Sequence, residues 1–312
     1  MKYTVEKLVG YMNLLRGSVS HPCFIHDYYE DDEYYYISGT SNFVSSFHDC
    51  RFSKEIYKNF TKKLSDPFGG IWLEYIKNYN FSFLTKLRID FPLLERGCIK
   101  LDPNLFNGLD KVYILADGMA SFFKVCKAEK KKMIELANID LKKLLTSNSY
   151  RNHFEPPYNL ICKDNKKFLY TRLNKARGKR QLLIFISDDN SWNFNRSEIV
   201  NLESKSGMTY NSIYCAKIIL KNNKLYATFF GYNVERDDFK NNKWKIRDKE
   251  MIILVESNDG INFTEIECLH CEHNCKYQMT LLGGGLNNLL YLTKKSENDS
   301  FCNILNIVKF ND

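Results

Sequence analysis

One phrase recurs five times along this chain: an apolar strand-like run, a polar turn with Asp, Asn or Lys, and a second run rich in aromatics. The copies are "HPCFIHDYYEDDEYYYISGTSN" (21–42), "IKLDPNLFNGLDKVYILADG" (99–118), "FEPPYNLICKDNKKFLYTRLN" (154–174), "IYCAKIILKNNKLYATFFGYN" (213–233) and "KYQMTLLGGGLNNLLYLTKK" (276–295). Self-similarity at such a period marks one supersecondary unit used repeatedly. Each copy reads as a β-hairpin, because two strands of this length around a short turn cannot bury their apolar face alone and must pair further. Strand-like runs follow three of the copies, "KRQLLIFIS" (179–187), "KEMIILVES" (249–257) and "SFCNILNIVKF" (300–310), so the unit grows to a four-stranded sheet.

Five such units predict an all-β chain, a five-bladed β-propeller with short helical insertions, since radial repetition leaves only short protected edges. A β-sandwich needs no such period. The 14% aromatic content, with 20 Tyr and 22 Phe, suits pleated half-buried surfaces. No linker divides the chain, so residues 1–312 are expected to form a single propeller domain with units beginning near 21, 99, 154, 213 and 276. Residues 43–98 read as an insertion, helical at "SKEIYKNFTKKL" and "GGIWLEYIKNY", and "KKKMIELANIDLKKLL" (130–145) reads as a second helical piece. "SDDNSWNF" (187–194) and "SNDGINF" (257–263) fall just after the third strands of their units. They read as tight turns in which Asp189 or Asp259 bonds backbone amides, Gly260 takes a positive φ, and Trp192 or Phe263 lies beneath.

The formal net charge of +8 is carried by scattered lysines, several in turns such as "KNNK" (221–224), which describes a solvated surface; no nucleic-acid partner is expected. No segment approaches the roughly 20 apolar residues of a membrane helix, so no membrane partner is expected either. The N-terminal "MKYTVEKLVGYMNLLRGSVSHP" carries charges within its apolar stretch and does not read as a signal peptide; with 10 Cys, this predicts a reducing, cytoplasmic location. The stretch "CLHCEHNC" (268–275) gathers Cys268, His270, Cys271, His273 and Cys275. Alternate residues of a strand face opposite ways, so all five do not converge on one ion, and no metal or other cofactor is expected. Gly283–Gly285 reads as a hairpin turn, because no Lys-Ser/Thr pair or helix follows to make a phosphate loop.

In a propeller the first strand of each blade lines the central funnel where ligands collect. Three strand starts carry a resemblance. "LDPNLFNGLDKVYILADG" resembles the "D-P-x-x-F-x-D-x-D-G-x-x-Y-L" phrase of glycoside hydrolase family 43, "FEPPYNLICKDNKKFLY" resembles its "E-x-P … Y-Y-L" phrase, and "HPCFIHDYYEDDEYYYISGT" its "D-P-x-x … Y-Y-L-x-x-T" opening. The two turn phrases resemble the Asp-box of sialidases and the "S-x-D-G-x-x-W" turn of five-bladed glycoside hydrolases.

The resemblance implies a glycoside hydrolase-like enzyme that cleaves a glycosidic bond in an intracellular oligosaccharide or glycan precursor. By position, Glu155 matches the family's general acid and Asp102 the residue that tunes that acid, while His21 occupies the base position, with Asp49 in "SSFHDCRF" as the substitute carboxylate. Glycoside cleavage needs a protonated carboxyl beside the leaving oxygen, and burial or a neighbouring negative charge keeps it protonated. Arg172 is placed to fork to a sugar carboxylate or phosphate, which would make the carbohydrate partner anionic. Tyr158, Tyr214 and Tyr277 are candidates to stack on a sugar ring. Two alternatives remain open: a glycosyltransferase or phosphorylase on the same scaffold, and a non-catalytic propeller that binds glycan or protein.

Overall fold

A computed structural model of the chain describes residues 2–9, 23–30, 34–41, 47–53, 74–76, 98–100, 112–116, 122–129, 132–140, 154–176, 179–189, 191–205, 210–234, 246–273, 280–284, 288–294 and 303–311. In chain order, β1 (Tyr3–Val9) precedes the first sheet, β2 (Cys23–Glu30), β3 (Tyr34–Ser41), β4 (Phe47–Ser53) and β5 (Glu74–Ile76). The second sheet is β6 (Cys98–Lys100), β7 (Val112–Ala116), β8 (Phe122–Glu129) and β9 (Lys132–Asp140). The third is β10 (Phe154–Lys163), β11 (Lys166–Ala176), β12 (Lys179–Ser187) and β13 (Arg196–Ile199). The short β14 (Asn201–Glu203) leads to the fourth, β15 (Ser212–Lys221), β16 (Lys224–Val234), β17 (Ile246–Ser257) and β18 (Asn262–His273). The fifth holds β19 (Thr280–Gly284), β20 (Asn288–Lys294) and β21 (Asn303–Phe310).

The first strands close a ring: β2 packs on β6, β6 on β10, β10 on β15, β15 on β19, and β19 back on β2. Five sheets whose inner strands meet in cyclic order are a five-bladed propeller. The last blade takes its outer strand from the other end of the chain, where β1 pairs antiparallel with β21 from Tyr3↔Phe310 to Val9↔Ile304. The sequence reading missed this closing strand, because "YTVEKLV" lies outside every copy of the repeated phrase. β14 similarly leaves blade three to pair, in parallel, with the outer strand β18 of blade four.

Stacking blades face to face explains the strand composition. Every residue of "LLIFIS" in β12 is buried, because a strand in the middle of a blade has a neighbouring blade on each side. Phe168, Tyr170, Leu182, Ile184 and Ile186 of blade three meet Ile218, Leu225, Ala227, Phe229 and Ile253 of blade four. On the other side of blade four, Tyr226, Phe230, Tyr232, Ile252 and Leu254 meet Leu289, Tyr291, Val308 and Phe310 of blade five. Alternating residues of β16 thus serve two different cores. The β10–β11 and β15–β16 hairpins turn on Asp164–Asn165 and Asn222–Asn223, all four at positive φ between 49° and 58°. This is the two-residue hairpin loop that matches strand twist, and Asn and Asp are the side chains that accept it.

Three expectations need correction. Among the described residues there is no helix, and so none long and apolar enough to cross a membrane. The stretch expected as a helix at 130–145 holds β9 instead. A bulge opposite Val125 and Cys126 makes Leu136 an extra residue and puts Glu135 and Asn138, opposite Cys126 and Lys124, on one exposed face. Two polar residues three apart imitate a helical period, which is why the pattern misleads. The supposed insertion at 43–98 contains β4 and β5, the outer half of blade one, and β5 lies within "GGIWLEYIKNY"; all of "SKEIYKNFTKKL" beyond Ser53 lies outside the described residues. Gly283 and Gly284 end the inner strand β19 at a bulge between Leu281 and Gly284, rather than forming the hairpin turn, and Gly285 lies outside the described residues. Glycine within a strand is a bulge signal of this kind.

Candidate functional site

Inner strands begin at one end of the ring, and their irregularities mark that end. Among the described residues, four of the five inner strands lose register against their partners: β2 between Ile25 and Asp27, β10 between Glu155 and Asn159, β15 between Cys215 and Ile218, and β19 between Leu281 and Gly284. Bulges beside an axis re-aim side chains and end regular pairing, which is useful where ligands are held. In β10 the cause is readable: Pro156 and Pro157 have no N–H to give the ladder.

Glu155 is the second residue of β10, immediately ahead of this irregular stretch, and its ladder partner on β11 is Arg172. Arg172 is half-buried, and on its other side it faces Leu182 of β12. Tyr158 lies within the irregular stretch of β10. Tyr214 stands on β15 opposite Phe230, one residue ahead of that strand's bulge. Asp49 is on β4, opposite Ser38 and Ile76, two strands out from the inner strand β2. Two strand spacings put it roughly 10 Å from the strand that lines the axis. His21, Asp102 and Tyr277 lie outside the described residues.

Two features that sequence reasoning did not single out fix the strands around Glu155. Asn159, fully buried directly after the irregular stretch, accepts a hydrogen bond at Oδ1 from the backbone N–H of Ile218, 3.3 Å away. Ile218 is itself the residue at which β15 resumes its ladder, so this bond ties the two bulges to each other across the blade boundary. Asn159→Ala removes that buried acceptor and is expected to cost about 1–3 kcal/mol. A fall in the denaturation midpoint at unchanged m-value checks this.

The second is the entry to β15, held at three consecutive residues. Tyr210 donates from its hydroxyl to the Met251 sulfur at 3.1 Å, Asn211 N donates to Asn233 Oδ1 at 2.8 Å, and Ser212 Oγ accepts from Arg180 N at 2.8 Å. The Tyr210 ring lies so close over Gly231 that a Cβ there would come within 2.9 Å of it. A lone glycine in the otherwise apolar "FFGYN" was the available signal of this close approach. Arg180 is half-buried at the start of β12, and its backbone N–H is part of this clamp.

Both Asp turns bond backbone amides as expected, at the far end of β12 and β17 from the strand entries. Asp259 Oδ1 accepts from the N–H groups of Ile261 and Asn262, each at 2.8 Å, and from Ser257 Oγ at 3.0 Å. Burial alone would raise its pKa, but these bonds together hold it below the usual carboxylate value. Asp189 accepts from Ser191 N at 3.1 Å and Ser187 Oγ at 2.9 Å, and its hydrogen bond from the Ser191 hydroxyl leads in lowering its pKa. Phe263 is buried beneath the second turn, but beneath the first it is Phe194, not Trp192, that is buried. Trp192 stays half-exposed with the Lys167 ammonium 4.8 Å from its ring centre, because the first turn carries one residue more.

No family model and no curated protein matches the sequence. Among solved structures, the chain is similar to the native arabinanase Arb43A of Bacillus subtilis at 8% identity, over 93% of this chain and 94% of that one, with a TM-score of 0.46. It is also similar to a GH43_1 enzyme from Xanthomonas citri complexed with xylose, at 9% identity over 97% and 93% of the two chains with a TM-score of 0.45. A thermostable family-43 glycoside hydrolase is matched at 11% identity over 95% and 93%, also with a TM-score of 0.45.

Proposed function

We propose that this propeller is a glycoside hydrolase that cleaves a glycosidic bond by carboxylate acid–base chemistry. In this reading Glu155 protonates the leaving oxygen, Asp102 keeps that proton on Glu155 by its negative charge, and His21 activates water. His21 is preferred to Asp49 as the base because Asp49 stands two strands out from β2. The observation that carries the reading is the position of Glu155: on the inner strand of blade three, directly ahead of the proline-broken stretch and opposite Arg172. A guanidinium at the neighbouring register position suits a substrate with a carboxylate or phosphate near the scissile bond.

The experiment is a product analysis on the purified protein with aryl glycosides and oligosaccharides of pentoses, hexoses and uronic acids, each with and without inorganic phosphate. Release of free sugar at a rate independent of phosphate supports hydrolysis. Sugar phosphate as product would instead identify a phosphorylase. Binding without turnover across the panel would overturn the enzymatic reading.

A further inference from the structure

The cysteine-rich stretch of β18 is rearranged by its own bulges. Along β17, Val255 faces Glu265, Leu254 faces Glu267, Ile253 faces Cys268, Ile252 faces His270, Met251 faces Cys271 and Lys249 faces His273. Ile266 and Leu269 are therefore extra residues, one in each irregularity of the ladder. Simple alternation would group Cys268 with His270. The extra Leu269 instead sets Cys268 and Cys271 at neighbouring positions on one face, opposite Ile253 and Met251, with His273 at the next position. Glu265 precedes them on that face but is buried and held by the Ser204 hydroxyl at 2.6 Å.

We propose that Cys268 and Cys271 form a binding site for a soft, low-coordinate metal ion, monovalent copper, on the outer strand of blade four. Both thiols are free; Cys271 is exposed and Cys268 half-buried against the core shared with blade three. Neighbouring same-face positions on a strand are about 7 Å apart. Metal–sulfur bonds of about 2.3 Å hold two sulfurs up to about 4.6 Å apart across a linear ion, a gap two cysteine side chains close by leaning together. A disulfide would require the Cβ atoms to come within about 3.8 Å, too near for side-by-side positions. Two thiolates at side-by-side positions suit a soft ion content with two sulfur ligands. On binding, each thiol gives up its proton and the ion is held as an S–Cu–S bridge, with no change of oxidation state. Because both thiols must lose their protons to bind, uptake weakens as pH falls.

The test is anaerobic competition of the reduced full chain for Cu(I) against bathocuproine disulfonate. The wild type is expected to retain one equivalent more than Cys271→Ser or Cys268→Ser. The competitor needed to strip that equivalent should drop at least about tenfold in either variant. Cys162→Ser, at an exposed free thiol of blade three, should match the wild type. Because Cys271 is exposed, Cys271→Ser is expected to keep the wild-type circular dichroism, so a loss of copper there is not a loss of fold. Equal copper uptake by wild type and Cys271→Ser overturns the proposal, as does a wild-type site that holds Zn(II) more tightly than Cu(I).

Discussion

Glu155→Gln is expected to lower kcat by about 10²- to 10⁴-fold on oligosaccharides, the span that a general acid supplies. A sugar alkoxide is a poor leaving group and departs only when protonated as the bond breaks. A nitrophenolate is a good one and needs little help. The loss should therefore shrink sharply on activated aryl glycosides, and that dependence on the leaving group separates an acid from a residue that merely holds the fold. The pH profile gives a second reading. Activity that requires a protonated carboxyl falls as pH rises through its pKa, so the alkaline limb of the wild-type profile should disappear in the variant. An equal loss on both substrate types, with the limb intact, would remove Glu155 from the role of acid.

Arg172→Lys separates recognition from chemistry at the same place. It keeps the charge but loses the forked donor geometry, so on an anionic substrate it should raise KM more than it lowers kcat.

The fold was legible where each element's local chemistry agreed with its place in a blade. "KNNK" and "KDNK" specify hairpins whose central residues tolerate positive φ, and "KRQLLIFIS" is a strand from its first residue to its last. Legibility failed where register rather than residue type decides the outcome. In β9 the extra Leu136 gives two polar positions the spacing of a helix, and in β18 the extra Leu269 regroups a Cys/His cluster whose faces simple alternation assigns differently. A bulge is a property of two strands, and neither strand alone announces it. The closing strand β1 has the same difficulty, since its partner β21 lies at the opposite end of the chain. At the site, the place of Glu155 at a strand start followed from the repeat. Its pairing with Arg172, and the Asn159 bond that ties the bulge to blade four, depend on strand register and on contact between blades.

Gly260→Ala should be among the most destabilising single-methyl additions in the chain, because two independent costs meet at one atom. Gly260 has φ +81°, a conformation that costs a residue with a Cβ about 1–2 kcal/mol. A Cβ there would also lie 2.7 Å from the Tyr170 hydroxyl, closer than real contacts allow. That hydroxyl cannot yield cheaply: Tyr170 is fully buried in blade three and donates to the carbonyl of Gly260 itself at 2.9 Å, so making room breaks the bond that joins the two blades. Losing a buried hydrogen bond adds about 1–3 kcal/mol, for a total of roughly 3 kcal/mol. Tyr170→Phe alone loses the bond without the clash and should cost about 1–2 kcal/mol. The double variant is the sharper measurement. With the hydroxyl gone, the added methyl keeps the backbone penalty and a 3.1 Å approach to Leu225 Cδ1 but loses its closest clash, so Gly260→Ala with Tyr170→Phe should be less destabilised than the sum of the two single changes. Strict additivity in denaturant titrations would mean that the Tyr170 hydroxyl and the Gly260 turn do not meet across the blades, and that the turn is held by its own Ser257 and Asp259 bonds.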